Sequence, residues 1–164
     1  MNPGEMAVGQ ITSPEFRGYG EPVEIPAGAL DSEGTAALWA AEVFASRYGV
    51  PKSDVKTAVL EYAPSREYTA LEVHKESPQL FVALVGRMAV PVAPACSRQG
   101  LCFFELDRGQ AAVVFPSIWH AKPIALDPSG ATFLYALAAG TSERDTLKEK
   151  LPESFTITED DWRR

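Results

Sequence analysis

The chain contains only two histidines, His74 and His120, and only two cysteines, Cys96 and Cys102, among its 164 residues. Neither cysteine stands at a metal-type spacing from another cysteine, so the sequence does not predict a structural zinc site. In a cytoplasmic protein of this size, two reduced thiols are the expected state of the pair. The fold must therefore rest on packing of apolar side chains.

Positive charge and long apolar runs are also scarce. The chain has 15 basic and 22 acidic side chains, a formal charge of −7, which argues against a nucleic-acid partner. No apolar run approaches the roughly 20 residues of a membrane-spanning helix. The first residues lack the basic and then apolar pattern of a signal peptide. We therefore expect a cytoplasmic protein with no nucleic-acid or membrane partner.

Turn-forming residues, in contrast, are plentiful, with 13 prolines and 12 glycines. They separate seven or eight short apolar or alternating segments that are typical of β-strands. The predicted strands cover 55–62, 68–74, 79–85, 88–92, 101–106, 111–115, 118–126 and 132–138, with 22–25 as a candidate first strand. With no helix between them, these strands predict a mainly β fold: a single β-barrel or jelly roll of short antiparallel strands with a few peripheral helices.

One domain is expected over residues 1–164, with a loose N-terminal arm at 1–13 and a C-terminal helix and tail at 142–164. Residues 35–48 are ambiguous: their alanines and apolar spacing favour a helix, and a bent strand with an irregular loop is the alternative. Two hairpins are predicted, one joined at Gly86-Arg87 and one joined through 107–109.

The most informative stretch surrounds the first histidine. Glu72 and His74 are two apart and share one face of a strand; Gln79 follows five residues after His74, and Gly86 seven after Gln79. This spacing resembles the first sequence motif of the cupins, with Glu72 in place of a histidine and Gln79 in place of a glutamate. The segment from Gly109 to His120 resembles the second cupin motif.

Further matches extend the resemblance to one cupin family, the ureidoglycolate lyases of allantoin breakdown. The matching residues are Phe16 with Tyr19-Gly20, Gly34-Thr35-Ala36, Leu71-Glu72-x-His74, Gln79 with Phe81, Gly86, and Trp119-His120. The chain departs from the family at Val73, where an arginine is usual, and at Phe115 and Ala121, where histidines are usual. The resemblance implies cleavage of ureidoglycolate to glyoxylate and urea, and it implies a homodimer.

That elimination needs a base for the hydroxyl proton and an acid for the leaving nitrogen. Histidine is suited to both steps because its ordinary pKa lies near 6.5. His74 and His120 are therefore the candidate proton carriers, with Glu72 orienting one of them.

A small carboxylate substrate also needs a cation and a shaped pocket. The candidates are Lys122 or Arg87 for the carboxylate, Gln79 for a hydrogen bond, and Trp119 for the wall of the pocket.

A divalent metal is the second possibility, and whether one binds is left open. Glu72, His74, Gln79 and His120 together offer two imidazoles, a carboxylate and an amide oxygen, a set suited to Mn, Ni or Zn. The alternatives to the lyase are a metal-dependent cupin enzyme acting on another small carboxylate or sugar acid, and a cupin that binds a small ligand without catalysis.

Overall fold

The structure, a computed structural model, describes residues 8–162. Within these residues the strands are β1 (Val8–Gln10), β2 (Gly20–Val23), β3 (Ser53–Leu60), β4 (Ser65–His74), β5 (Gln79–Val85), β6 (Met88–Ala93), β7 (Cys102–Leu106), β8 (Ala111–Val114), β9 (Trp119–His120), β10 (Ile124–Ala125), β11 (Ala131–Ala138) and β12 (Thr146–Thr158). The helices are α1 (Glu33–Tyr48), α2 (Thr141–Arg144) and α3 (Glu159–Trp162), and Pro14–Gly18 forms a short 3-10 turn.

The strands form two sheets that pack face to face. One has the order β1-β7-β6-β9-β4-β12, with β10 also paired to β6, and the other has the order β2-β8-β5-β11-β3. With β9 and β10 taken as one interrupted strand, the central orders β7-β6-β9-β4 and β8-β5-β11-β3 are those of an eight-stranded jelly roll. The predicted mainly β fold with peripheral helices is therefore confirmed.

Helix α1 covers the outer face of the smaller sheet, so the helical interpretation of 35–48 is confirmed. The Ser32 side chain caps the helix by accepting the N–H of Thr35, and the Thr35 side-chain oxygen accepts the backbone N–H of Ser32. Gly49 ends it in the left-handed conformation, with a φ of 66°. Trp39 and Phe44 are buried against the sheet, which anchors the helix.

The two predicted hairpins are wrong. Strands β5 and β6 lie in different sheets, and so do β7 and β8, so each connecting loop carries the chain across the sandwich. The physical reason is that β6 and β8 are buried along their whole length and β5 along most of its own, so alternation gives no sign of which sheet each one joins.

The predicted C-terminal helix and tail at 142–164 is wrong for most of its length. Within the described part of this segment, only α2 and α3 are helical, and β12 runs antiparallel to β4 between them. Leu151, Phe155 and Ile157 are buried, and Pro152 is unsuited to a helix interior, so pairing with the edge of β4 outweighs the local helical pattern.

The predicted loose arm at 1–13 is also corrected in part. Residues 8–10 form β1, which pairs parallel to β7 at the edge of the larger sheet. The first seven residues of the arm, and residues 163–164 of the predicted tail, lie outside the described residues. Both cysteines are free thiols. Over residues 8–162, no helix combines the length and the apolar character that crossing a membrane requires.

Candidate metal centre

The two histidines meet at one end of the sandwich, on neighbouring strands of the larger sheet. Glu72 and His74 lie at the C-terminal end of β4, and His120 on β9 is the direct antiparallel partner of Glu72. Strand alternation turns Glu72 and His74 to the same face, towards the space between the sheets. Gln79 enters from the opposite sheet because it begins β5.

These side chains converge closely. Glu72, His74 and His120 each offer one ligand atom, and the three atoms all lie within 4.8 Å of one another. The two imidazole rings have their centroids 4.9 Å apart, and Gln79 Oε1 lies 3.2 Å from His74 Nε2. The structure thus brings together the four residues that the two sequence motifs single out.

His120 is the most buried member of the cluster, with 2% of its surface exposed. Its Nδ1 lies 3.0 Å from the carbonyl oxygen of Ile118, which only accepts hydrogen bonds, so Nδ1 carries the proton. The lone pair therefore sits on Nε2, which is buried and has no hydrogen-bond partner among the described residues. An unpartnered buried polar atom is costly, so Nε2 needs a partner from the cleft, which an ordered water or a bound ion would supply.

Burial lowers the pKa of His120 to about 4, and the nearby His74 acts in the same direction, while the Ile118 carbonyl opposes them. His120 is therefore a neutral imidazole at neutral pH, the form that binds metals. Its Nε2 lies 3.6 Å from Glu72 Oε1, and the Glu72 side chain is 34% exposed. Because the imidazole is neutral, this contact is not an ion pair at neutral pH; it is two electron-rich atoms facing a common space.

His74 is held from both sides. Its Nε2 faces Gln79, and its Nδ1 lies 3.1 Å from the hydroxyl oxygen of Thr146, which also lies 3.1 Å from the carbonyl oxygen of Thr141. Sequence reasoning missed Thr146 because the segment that contains it fits a helix. Thr146 belongs to neither of the two cupin-like motifs, so no sequence pattern marked it as a site residue.

A cleft of about 430 Å³ gives access to the cluster. Its walls combine aromatic and apolar side chains with one lysine; besides the four residues of the cluster, they include Phe81, Ala121, Lys122, Phe133, Tyr135, Leu137 and Thr146. A larger cleft of about 620 Å³ lies elsewhere, beside α2 and residues 49–52, and neither histidine lines it. The smaller cleft is therefore where chemistry is expected.

Two predicted substrate-binding residues do not line the cleft. Trp119 precedes His120 in β9, so alternation turns it to the opposite face of the larger sheet. There it packs against the outer cluster, a group of buried apolar side chains that includes Leu71, Phe103 and Phe155. Arg87 forms ion pairs of 2.9 Å with Glu105 and with Asp127, away from the cleft. Of the two predicted cations, only Lys122 is placed to meet a substrate.

The cluster fits a divalent first-row metal ion. Adjacent ligands at bonds of about 2.1 Å are separated by roughly 3.0 to 3.4 Å. The 3.2 Å between His74 Nε2 and Gln79 Oε1 and the 3.6 Å between His120 Nε2 and Glu72 Oε1 are close to those values. Two imidazoles, a carboxylate and an amide oxygen are ligands that such ions accept.

No family model matches the chain, and no curated protein is similar to it in sequence. Solved structures with a related fold include a 3,4-ketoisomerase from Helicobacter canadensis, with 14% identity and a TM-score of 0.46 over 57% of this chain and 66% of that one. A sugar 3,4-ketoisomerase from Thermoanaerobacterium thermosaccharolyticum in complex with TDP has 17% identity and a TM-score of 0.45 over 57% and 64%.

A Bacillus subtilis oxalate decarboxylase with Mn(II) centres has 12% identity and a TM-score of 0.45 over 63% of this chain and 26% of that one. The chain therefore spans less than two thirds of the length of these three structures. Similarities with TM-scores below 0.5 assign neither a family nor an activity, so the function is argued from the site itself.

Proposed function

We propose that the protein is a metal-dependent enzyme of the cupin type that acts on a small carboxylate or sugar acid in the cleft beside His74 and His120. The observation that carries the proposal is the orphaned Nε2 of His120, which faces Glu72 and His74 in a buried space. A divalent cation would satisfy that lone pair and balance the charge of the Glu72 carboxylate, and among residues 8–162 no side chain is a partner of this Nε2.

Four ligands would hold the ion: Nε2 of His74, Nε2 of His120, a carboxylate oxygen of Glu72 and the amide oxygen of Gln79. The bound ion would supply Lewis-acid chemistry, which polarises a carbonyl or hydroxyl oxygen of the substrate. Glu72 is the most accessible of the four, so a second carboxylate oxygen remains available to accept a substrate proton.

Substrate selection falls to the rest of the cleft. The ammonium group of Lys122 provides a point charge for a carboxylate, and the aromatic and apolar walls offer packing surface for the rest of a small substrate. Ala121 lines the cleft where the ureidoglycolate lyases usually carry a histidine, so this cleft has one proton carrier fewer. The broader class of small carboxylates therefore fits better than ureidoglycolate alone.

Metal binding is tested with chelator-treated protein titrated calorimetrically with Mn²⁺, Ni²⁺ and Zn²⁺. We expect one ion per chain, and we expect Glu72→Gln to weaken the affinity at least about tenfold because it removes an anionic ligand. Glu67→Gln is the matched control: it makes the same change on the same strand at an exposed position outside the cleft. Failure of all three metals to bind stoichiometrically would show the proposal to be wrong.

Turnover is then measured with metal-loaded and metal-free protein on ureidoglycolate, keto acids and sugar acids. Product formation that depends on the metal supports an enzyme, and urea release would single out the lyase. Metal and ligand binding without turnover of any of these substrates would contradict the enzyme and support a protein that binds a small ligand without catalysis.

A further inference from the structure

We propose that Thr146 is a positioning residue that holds His74 in the tautomer with the proton on Nδ1, so that Nε2 presents a lone pair to the cluster. The inference rests on the proposed metal centre for its purpose. The tautomer itself is a property of the metal-free protein, and it can be measured independently of any ion.

The donor inventory around Thr146 carries the proposal. A threonine hydroxyl has one hydrogen to donate, and here it has two neighbours at 3.1 Å: the carbonyl oxygen of Thr141 and Nδ1 of His74. The carbonyl can only accept, whereas Nδ1 of His74 can either donate or accept, so both contacts are hydrogen bonds only if the hydroxyl donates to Thr141. Its oxygen then accepts from His74, which requires the proton on Nδ1.

The competing arrangement is less well satisfied. It places the proton on Nε2, donated to Gln79, and turns the hydroxyl of Thr146 towards Nδ1. The Thr141 carbonyl then keeps only the backbone N–H of Asp145, at 2.9 Å, and the Thr146 oxygen accepts no hydrogen bond. In the Nδ1–H arrangement the Gln79 oxygen would face the lone pair of Nε2, so the amide must make a half-turn that lets its NH₂ group donate to Nε2 until an ion displaces it. Among the described residues, Gln79 makes no other side-chain hydrogen bond that would resist the turn.

The backbone keeps Thr146 in place. Thr146 is the direct partner of His74 in the ladder between β12 and β4. The preceding residue, Asp145, accepts hydrogen bonds of 2.9 to 3.0 Å from the backbone N–H groups of residues 75–77, which directly follow His74. The start of β12 therefore fixes both His74 and the loop that connects it to Gln79.

The same device serves the second histidine. His120 donates from Nδ1 to the carbonyl of Ile118, and its lone pair is on Nε2. Both imidazoles are thus oriented by an acceptor at Nδ1, as metal-binding histidines usually are. The acceptor is a backbone oxygen for His120 and the side chain of Thr146 for His74. A substitution of Thr146 can therefore remove the hydrogen bond that orients His74.

The test uses the fact that the chain has only two histidines. Long-range ¹H–¹⁵N NMR spectra of metal-free protein, ¹⁵N-labelled at histidine and held at neutral pH, report the tautomer of each ring. We expect both rings in the Nδ1–H form. Thr146→Val keeps the shape and removes the hydroxyl, so it should move His74 towards the Nε2–H form and leave His120 unchanged. Thr146→Ser should restore the wild-type spectrum.

Metal affinity is the second readout. Loss of an outer hydrogen bond to a metal-binding histidine typically costs 10- to 100-fold in affinity, so Thr146→Val should weaken binding by that amount and Thr146→Ser should not. A wild-type His74 in the Nε2–H form overturns the proposal, even if Thr146→Val does not fold. An unchanged tautomer in a folded Thr146→Val protein overturns it as well. Absence of metal binding by the wild type, with the tautomer shift intact, would defeat the metal centre alone.

Discussion

At the scale of single residues, the site is defined by a conflict between burial and charge. His120 is almost completely buried, yet its Nε2 faces the carboxylate of Glu72 without a proton between them. A surface pair of the same residues would share a proton and form an ion pair. Burial prevents that by keeping the imidazole neutral, which leaves an electron-rich space suited to a cation.

The lowered pKa of His120 predicts how the metal-free protein responds to acid. The pKa falls from 6.5 to about 4 on folding, so below pH 6.5 the unfolded chain takes up the proton before the folded chain does. The contribution of His120 to stability is therefore complete above pH 6.5 and is lost as the pH falls towards 4, to a total of about 3 kcal/mol.

Urea unfolding of chelator-treated protein between pH 7 and pH 4.5 measures this loss, with His120→Gln as the non-titrating reference. The carboxylates titrate in both proteins, so the difference between the two curves reports His120. Curves that stay parallel over this range would contradict a buried neutral imidazole.

At the scale of elements, the site depends on four strands, β4, β5, β9 and β12, of which the sequence predicted three. The alternation in β4 and the motif spacing predicted that Glu72 and His74 share a face, and the motifs indicated His120. The fourth strand, β12, was not predictable because Thr141–Lys150 combines a possible cap, an early glutamate and late lysines, all of which favour a helix. Its strand conformation comes from pairing with the edge of β4, a long-range contact that no local pattern encodes.

The role of β12 predicts a contrast between two apolar positions on the same strand. Ile157 is completely buried in the outer cluster, whereas Leu147 is 39% exposed. We expect Ile157→Ala to lower the free energy of unfolding by about 2 to 5 kcal/mol, because it leaves a cavity. Leu147→Ala should cost much less. Measured by urea unfolding, equal small effects would be the outcome expected for the helix and tail that the sequence favoured.

At the scale of the whole molecule, the count of strands and the absence of crossover helices were enough to predict a β-barrel or jelly roll, and the structure has the strand order of the jelly roll. The distribution of strands between the two sheets was not, since β5 and β6 are buried on both faces and each loop between sheets has the residues of a hairpin turn. The φ of 71° at Gly86 suits such a turn. However, the backbone of Gly86 lies so close to Gly130 that a Cβ at this position would be only 2.5 Å from the Gly130 carbonyl oxygen. This close packing is a feature of the corner where the chain changes sheet. Tertiary packing, and not the residues of the turn, therefore decides whether the chain forms a hairpin or crosses to the other sheet.

The homodimer remains a prediction, and the structure indicates where to test it. Residues 8–10 of the arm pair with β7 of the same chain, so they are not available to add a strand to a second copy. Among the described residues, β3 lies at an edge of the smaller sheet. Val59 on β3 is 68% exposed and Val85 on β5 is 56% exposed, and both are register partners of Thr132 on β11, which lies between them. This apolar row beside a free edge is the surface on which we expect the second copy to pack.

Light scattering at micromolar concentration should give twice the chain mass of 17.8 kDa for the wild type. Val59→Glu should return the mass to one chain, because a dimer would bury two like charges across its twofold axis. Lys56→Gln, at another exposed position of β3, is the control that should stay dimeric. A wild-type mass near 17.8 kDa would contradict the dimer, and a Val59→Glu protein that remains dimeric would move the interface to another surface.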